Sequence, residues 1–182
     1  MENTDGNLQS ANIIGANSTI AVVQGTAALS IFALQKIQQT APHVVYAEFV
    51  HLIHTTAELS AQQLLQAQEL LTYGPTQELP EASGKFAGTV VPRLGTISPW
   101  SSKATDIFWL SGLTDVQRVE RGVRWFVRDD YDLSVLDKSV LFDRMTQDYL
   151  LAEDFAQLFA TAEPKPLSLI HIFEPTRLGM IS

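Results

Sequence analysis

The chain has 182 residues, 46% of them hydrophobic and 18% charged, with a net charge of −8 and a pI of about 4.8; this suits a folded core rather than a disordered chain. The acidity disfavours general binding to nucleic acid or anionic membranes, and the absence of cysteine excludes disulfides, thiolate zinc sites and a cysteine nucleophile within these residues. No apolar run approaches the ~18 residues that span a bilayer. The acid- and amide-rich start, "MENTDGNLQSANIIGANS", is not a secretory signal, so a cytoplasmic location with no membrane and no nucleic-acid partner is expected.

Residues 1–25 read as a flexible leader with an edge strand around Ile20–Val23. "TAALSIFALQKIQQT" then puts Ala27, Ile31 and Leu34 at helical spacing, with Phe32 and Ile37 flanking the stripe. "PHVVYAEFVHLIH" is β-branched and aromatic with apolar residues on both faces, the pattern of a buried strand. A second helix is predicted from Glu58 to Tyr73 with Ala61, Leu64, Leu65 and Leu71 inward. It would stop at "YGP", where Gly74 suits a left-handed cap and Pro75 cannot continue the ladder.

"GKFAGTVVP" reads as a short strand closed by Pro92. Next comes "PRLGTISPWSSKATDI" (Pro92–Ile107), in which Ser98-Pro99 has the form of an N-cap followed by proline at the first helical position. Ala104, Ile107 and Phe108 would share one face of a helix ending near Gly112. "VQRVERGVRWFVR" alternates as a half-exposed strand does. A helix from about Ser134 to Phe142 precedes "DRMTQ". A last helix would carry Leu151, Phe155, Leu158, Phe159 and Ala162 inward before "AEPKP" ends it. Short connections and one exposed sheet face favour an α+β fold: a mainly antiparallel sheet packed by helices. No sequence period repeats, although two halves with the same strand and helix order are compatible with a structural duplication.

From Leu167 the chain reads "LSLIHIFEPTRLGMIS", which resembles one reading frame of a transposon-end sequencing adapter. Residues 167–182 are therefore expected to be a non-native scar, outside the fold, with the natural protein continuing past Pro166. The alternative is a genuine short C-terminal strand.

Five blocks occur in order with compatible spacing: "VYAEFVH" (Val45–His51), "LLTYG" (Leu70–Gly74), Pro92–Ile107, "RVERG" (Arg118–Gly122) and "LFDRMTQ" (Leu141–Gln147). From about Ala27 to Pro166 the chain thereby resembles the large single-chain phosphoribosylformylglycinamidine synthases, also called formylglycinamide ribonucleotide amidotransferases. Leu94 stands where that family commonly has proline. The resemblance implies a module like a fused dimer of the small PurS subunit over 26–133, and the start of a small helical linker domain over 134–166. It implies an N-terminal part of a carbon–nitrogen ligase of purine synthesis that uses ATP and glutamine to make formylglycinamidine ribonucleotide. ATP, magnesium and the glutaminase cysteine would belong to parts of the parent enzyme beyond Pro166, with no cofactor and no catalytic residue in this portion. Its partners would be the synthetase and glutaminase domains of the same chain, with the ribonucleotide at the domain interface. Docking, ammonia passage and active-site shaping would be its work. The alternatives are a free-standing PurS-like subunit and an independent small enzyme acting on a phosphorylated substrate.

Arg93, Thr96, Ser98, Trp100, Ser101, Ser102 and Lys103 gather at one helix start, where free N–H groups, hydroxyls and cations make an anion-binding corner. Such a corner could hold the ribonucleotide phosphate or shape the ammonia route. It could equally be a capped helix with Trp100 buried against a neighbouring domain. Asp106, in the same helix, would support the loop. His43, His51 and His54 lie on or beside one strand with Glu48 between them; 51 and 54 fall on opposite faces and cannot jointly grip a metal, so core or interface roles are expected. Arg118, Glu120, Arg121 and Arg124 read as a solvated or domain-facing charged surface, and Asp143-Arg144 as a domain-joining salt-bridge corner. No phosphate-binding glycine loop, HExxH or GxSxG is present.

Overall fold

The computed structural model describes residues 12–14, 18–73 and 83–160. It contains six strands, β1 (Asn12–Ile14), β2 (Ser18–Ala27), β3 (Val44–Thr55), β4 (Lys85–Pro92), β5 (Val116–Val127) and β6 (Gln147–Leu150). The helices are α1 (Ile31–Gln38), α2 (Ala61–Leu71), α3 (Pro99–Leu110) and a single turn, α4 (Ala156–Phe159). The strands form one sheet in the order β1-β2-β3-β5-β4-β6, and every neighbouring pair is antiparallel. The fold is therefore α+β, with helices packed on a mainly antiparallel sheet. Its four central strands fall into two strand–helix–strand units, β2-α1-β3 and β4-α3-β5, joined through β3 and β5. Both halves thus have the order that a duplicated unit requires.

Strand alternation divides the core. On one face Val23, Ile53 and Val119 meet Ala67 and Leu71 of α2 and Ala104 and Phe108 of α3. Farther along, Leu34 of α1 meets Ala47 and Trp125. On the other face Ile20, Val22, Val50, Leu52 and Val91 lie beneath Phe155, Leu158 and Phe159 of the C-terminal segment. At the end of α3, Gly112 turns to φ 89°, which lets the Leu113 N–H reach back to the Phe108 carbonyl at 3.0 Å.

Several expectations are corrected. Ile20–Val23 belongs to a longer strand: Ser18–Ala27 pairs along β3 and, at Ser18–Ile20, with the short β1 as well, which takes Ser18–Gly25 out of the leader and Ala27 out of the first helix. Helix α1 begins only after Ser30, whose hydroxyl caps Ala33 N–H; Ile31 and Phe32 point outward, and Leu34 is its buried residue. Helix α2 turns Leu64, Ala67 and Leu71 inward and leaves Ala61 and Leu65 exposed; it ends at Leu71 with Thr72 as its C-cap, ahead of "YGP", whose Gly74 and Pro75 lie outside the described residues. In α3, Ile107 is exposed, and Ser101 and Thr105 join Ala104 and Phe108 on the buried side.

Strand β5 is not half-exposed. It is central, roofed by α3 on one face and by the C-terminal segment on the other, so its alternation separates two buried faces. In place of the Ser134–Phe142 helix stand two 3-10 turns, Leu133–Val135 and Lys138–Val140, each started by an aspartate side chain. The last helix shrinks to α4 and its forerunner becomes β6, which pairs with β4; Leu151 is exposed, while Ala162 falls outside the described residues. "LFDRMTQ" is a turn leading into that strand, not a helix.

Candidate functional site

The segment between β4 and α3 is tied down by several hydrogen bonds. Arg93 donates its backbone N–H to Thr146 O at 3.0 Å and Nη1 to Met145 O at 3.3 Å, and the Leu94 N–H donates to Asp148 Oδ2 at 2.7 Å. Thr96 Oγ1 closes the turn on Arg93 O at 2.6 Å. Ser98 Oγ accepts from the Ser101 N–H at 3.1 Å, as a cap should, and donates to Glu120 Oε2 at 2.7 Å. Glu120 also accepts from the Ser98 N–H at 3.2 Å. An anion does sit at the start of α3, and it is the chain's own carboxylate, fully buried on β5.

Arg118 completes the arrangement. Its Nε donates to Glu120 Oε1 at 3.0 Å with Nη2 on the same oxygen. Nη2 also donates to the Thr96 carbonyl, and Nη1 to Leu158 O at 3.3 Å, while the guanidinium stands 5.3 Å from the Phe159 ring centroid. One buried ion pair thus fastens the loop, β5 and the C-terminal segment together.

Behind the corner lies an aromatic cluster. Trp100, half-buried, is 5.8 Å from the His51 ring and 5.0 Å from the Arg121 guanidinium. Arg121 Nη1 donates to Tyr73 Oη at 3.1 Å, and the same hydroxyl lies at hydrogen-bond distance, 2.9 Å, from His51 Nε2, with the direction of that bond set by the imidazole tautomer. Burial, reinforced by the Arg121 charge and opposed by the backbone of Val23, pushes His51 down to about 4. His54, on the other face of β3, stacks on Phe159 and is lowered by burial and then by Arg118. His43 stacks on Tyr131 at 4.1 Å and is lowered by burial and then by Arg128. His51 is the most deeply buried of the three. No cluster of three or more metal-ligating groups forms among the described residues.

Of the residues singled out in the sequence, Arg93, Thr96, Ser98, Trp100 and Ser101 are brought to one corner. Ser101 is buried with its hydroxyl unpartnered, and Ser102, Lys103 and Asp106 are exposed along α3. The expected charged surface on β5 is corrected. Glu120 and Arg124 are buried and Arg118 and Arg121 largely so, because the strand has no free face. Arg124 bonds Glu153 at 2.6 Å and lies 3.6 Å from Glu48, which accepts from Gln24 at 2.8 Å. Asp143 and Arg144 form no ion pair among the described residues. The Asp143 carboxylate caps its own turn, accepting from Met145 N–H at 2.8 Å and the Thr146 hydroxyl at 3.1 Å.

Three contributors escaped the sequence reading. Tyr73 reads as the end of a helix, and neither Glu153 nor Thr105 is singled out in the sequence. Thr105 is in fact buried, accepting the Val119 N–H at 3.0 Å and sewing α3 to β5. A polar residue at a core-facing helical position was the available signal for it. The formylglycinamide ribonucleotide amidotransferase N-terminal family model matches residues 48–159, which takes in the corner, the aromatic cluster and both buried ion pairs.

Proposed function

The chain belongs to the formylglycinamide ribonucleotide amidotransferase N-terminal family, and from that premise we propose that it is a non-catalytic docking module of the parent ligase. In this reading the module seats against the synthetase and glutaminase domains, helps shape the ribonucleotide site and the ammonia route, and works in the cytoplasm. ATP, magnesium and glutamine are handled elsewhere in the parent chain.

The observation that carries this reading is the occupancy of the α3 corner. Ser98 gives its N–H and hydroxyl to Glu120 and takes the Ser101 N–H on its own Oγ, so the corner is built to hold a shape rather than to await a substrate anion. The loop and the outer side of α3 carry exposed apolar residues: Ile97 is 65% exposed, Ile107 45% and Leu110 88%. A tied-down loop and a helix that both expose aliphatic side chains suit a surface that another domain covers.

The test is reconstitution. The chain and the remainder of the parent enzyme are produced as separate polypeptides and mixed. Amidation of formylglycinamide ribonucleotide with ATP and glutamine is expected only when both are present. Turnover by the chain alone, or full activity of the remainder without it, refutes the proposal. In the reconstituted enzyme Arg93→Met and Lys103→Met distinguish a direct phosphate role. A KM for the ribonucleotide that does not move assigns these side chains to the interface.

A further inference from the structure

Three arginines of β5 are largely buried, and two of them meet carboxylates: Arg118 on Glu120, and Arg124 on Glu48 and Glu153. Arg121 does not. It makes no ion pair among the described residues, in a chain that carries 20 acids against 12 lysines and arginines. Burying most of a guanidinium without an acid is costly unless something else holds it or something is meant to meet it. What holds it is the Phe49 ring at 4.5 Å, the Trp100 ring at 5.0 Å and one hydrogen bond to Tyr73 Oη. These contacts fix the side chain in place, and no acid among the described residues compensates its charge. Its remaining N–H groups are not among the buried unpartnered atoms, so they reach the surface.

We propose that Arg121, set among Phe49, Trp100 and Tyr73, is a receptor for the carboxylate of a single aspartate or glutamate presented by the domain against which the module docks. The inference rests on the docking reading and gives it a point of contact. Charge count selects a carboxylate over a phosphate. Arg121 contributes one positive charge, and His51 beside it stays neutral because burial and Arg121 itself depress its pKa. A planar fork held immobile by rings matches the two oxygens of a carboxylate and loses little entropy on binding. The exposed Ile97, Ile107 and Leu110 belong to the same loop and helix as Trp100, so a docked domain would exclude water from the pair and strengthen it.

Two measurements test this. The first is an NMR titration of the chain with N-acetyl-glutamate α-amide, reading the Trp100 indole N–H and the Arg121 Nε–H, with inorganic phosphate and chloride at equal ionic strength as rivals. A saturable shift with a dissociation constant of about 10 mM is expected from the carboxylate, weaker from phosphate, and absent in Arg121→Met. No shift in the unaltered chain, an equal shift in Arg121→Met, or a stronger response to phosphate overturns the site. The second is the affinity of the chain for the separately produced remainder of the parent enzyme. It should fall about tenfold in Arg121→Met and less in Arg121→Lys, which keeps the charge and loses the fork. If Arg121→Met fails to fold, the titration and Arg121→Lys decide, and an Arg121→Lys affinity equal to the original overturns the proposal. Strong association that ignores Arg121 removes this inference and leaves docking intact. A carboxylate shift with no association at all removes the docking reading and, with it, the proposed bearer of the carboxylate.

Discussion

His51 is a buried base that the fold keeps uncharged. Its pKa of about 4 lies below the 6.5 of an unfolded histidine, so the unfolded chain takes up the proton first. Its contribution to stability is complete above pH 6.5, is lost as pH falls through the window from 6.5 to 4, and amounts to about 3 kcal/mol. His43 and His54, also lowered by burial, act in the same direction. Urea unfolding of the chain and of His51→Gln at intervals between pH 7 and 4 isolates the effect, since the carboxylates titrate alike in both. The stability gap between the two should shift by about 3 kcal/mol in favour of the variant as the pH drops; a constant gap would show that His51 is not held neutral. Sequence reasoning placed His51 and His54 on opposite faces of β3, because alternation along a strand is a local property. It could not find Tyr73 or Arg121 as the partners of His51, since these lie 22 and 70 positions away in a chain of 182 and meet only across the sheet and a helix end.

Helix α3 shows how far an element can be read and where reading stops. Its start was legible because Ser98 and Pro99 each have one local job: capping Ser101 N–H, and entering the helix where no N–H is needed. Which side faces inward was only half legible. Ile107 is the more apolar choice, yet Thr105 is buried in its place because its hydroxyl meets the Val119 N–H. The second role of Ser98, its bond to Glu120, depends on β5 and has no local signature. Ser98→Ala therefore removes a cap and also one of the buried carboxylate's donors, and should cost about 2–4 kcal/mol, beyond the ~1 kcal/mol typical of a cap alone. Thermal unfolding of Ser98→Ala beside Ser60→Ala, which removes the exposed cap of α2, makes the comparison internal. Equal losses at the two caps would show that the Glu120 bond contributes nothing.

At the scale of the whole molecule the C-terminal segment decides the character of the sheet. Phe155 and Leu158 are fully buried against Ile20, Val22, Val50, Leu52 and Val91, and the Arg118 and Arg124 pairs clamp the same stretch from either side. Phe155→Ala should cost about 3–5 kcal/mol, as for an aromatic removed from a packed core, and should expose Glu120 and Arg124 to solvent. Unfolding by urea measures the first effect. Amide exchange along β5 measures the second, and protection unchanged there would mean that the segment is not the roof of the sheet.

The sequence by itself determined the class of fold, the positions of β3, β4 and β5, the capped start of α3, the opposition of His51 and His54 and the family. Each of these is carried by neighbours a few residues apart, through alternation, capping or a contiguous motif. Only the tertiary structure decided that β5 lies at the centre, that Arg118, Glu120 and Arg124 are drawn into ion pairs, that the helix-start corner is filled by Glu120, and that Arg121 meets no acid among the described residues. Those facts depend on which strands become neighbours and on what covers them, and an alternating strand looks the same in sequence whether its second face meets water or another layer of the protein.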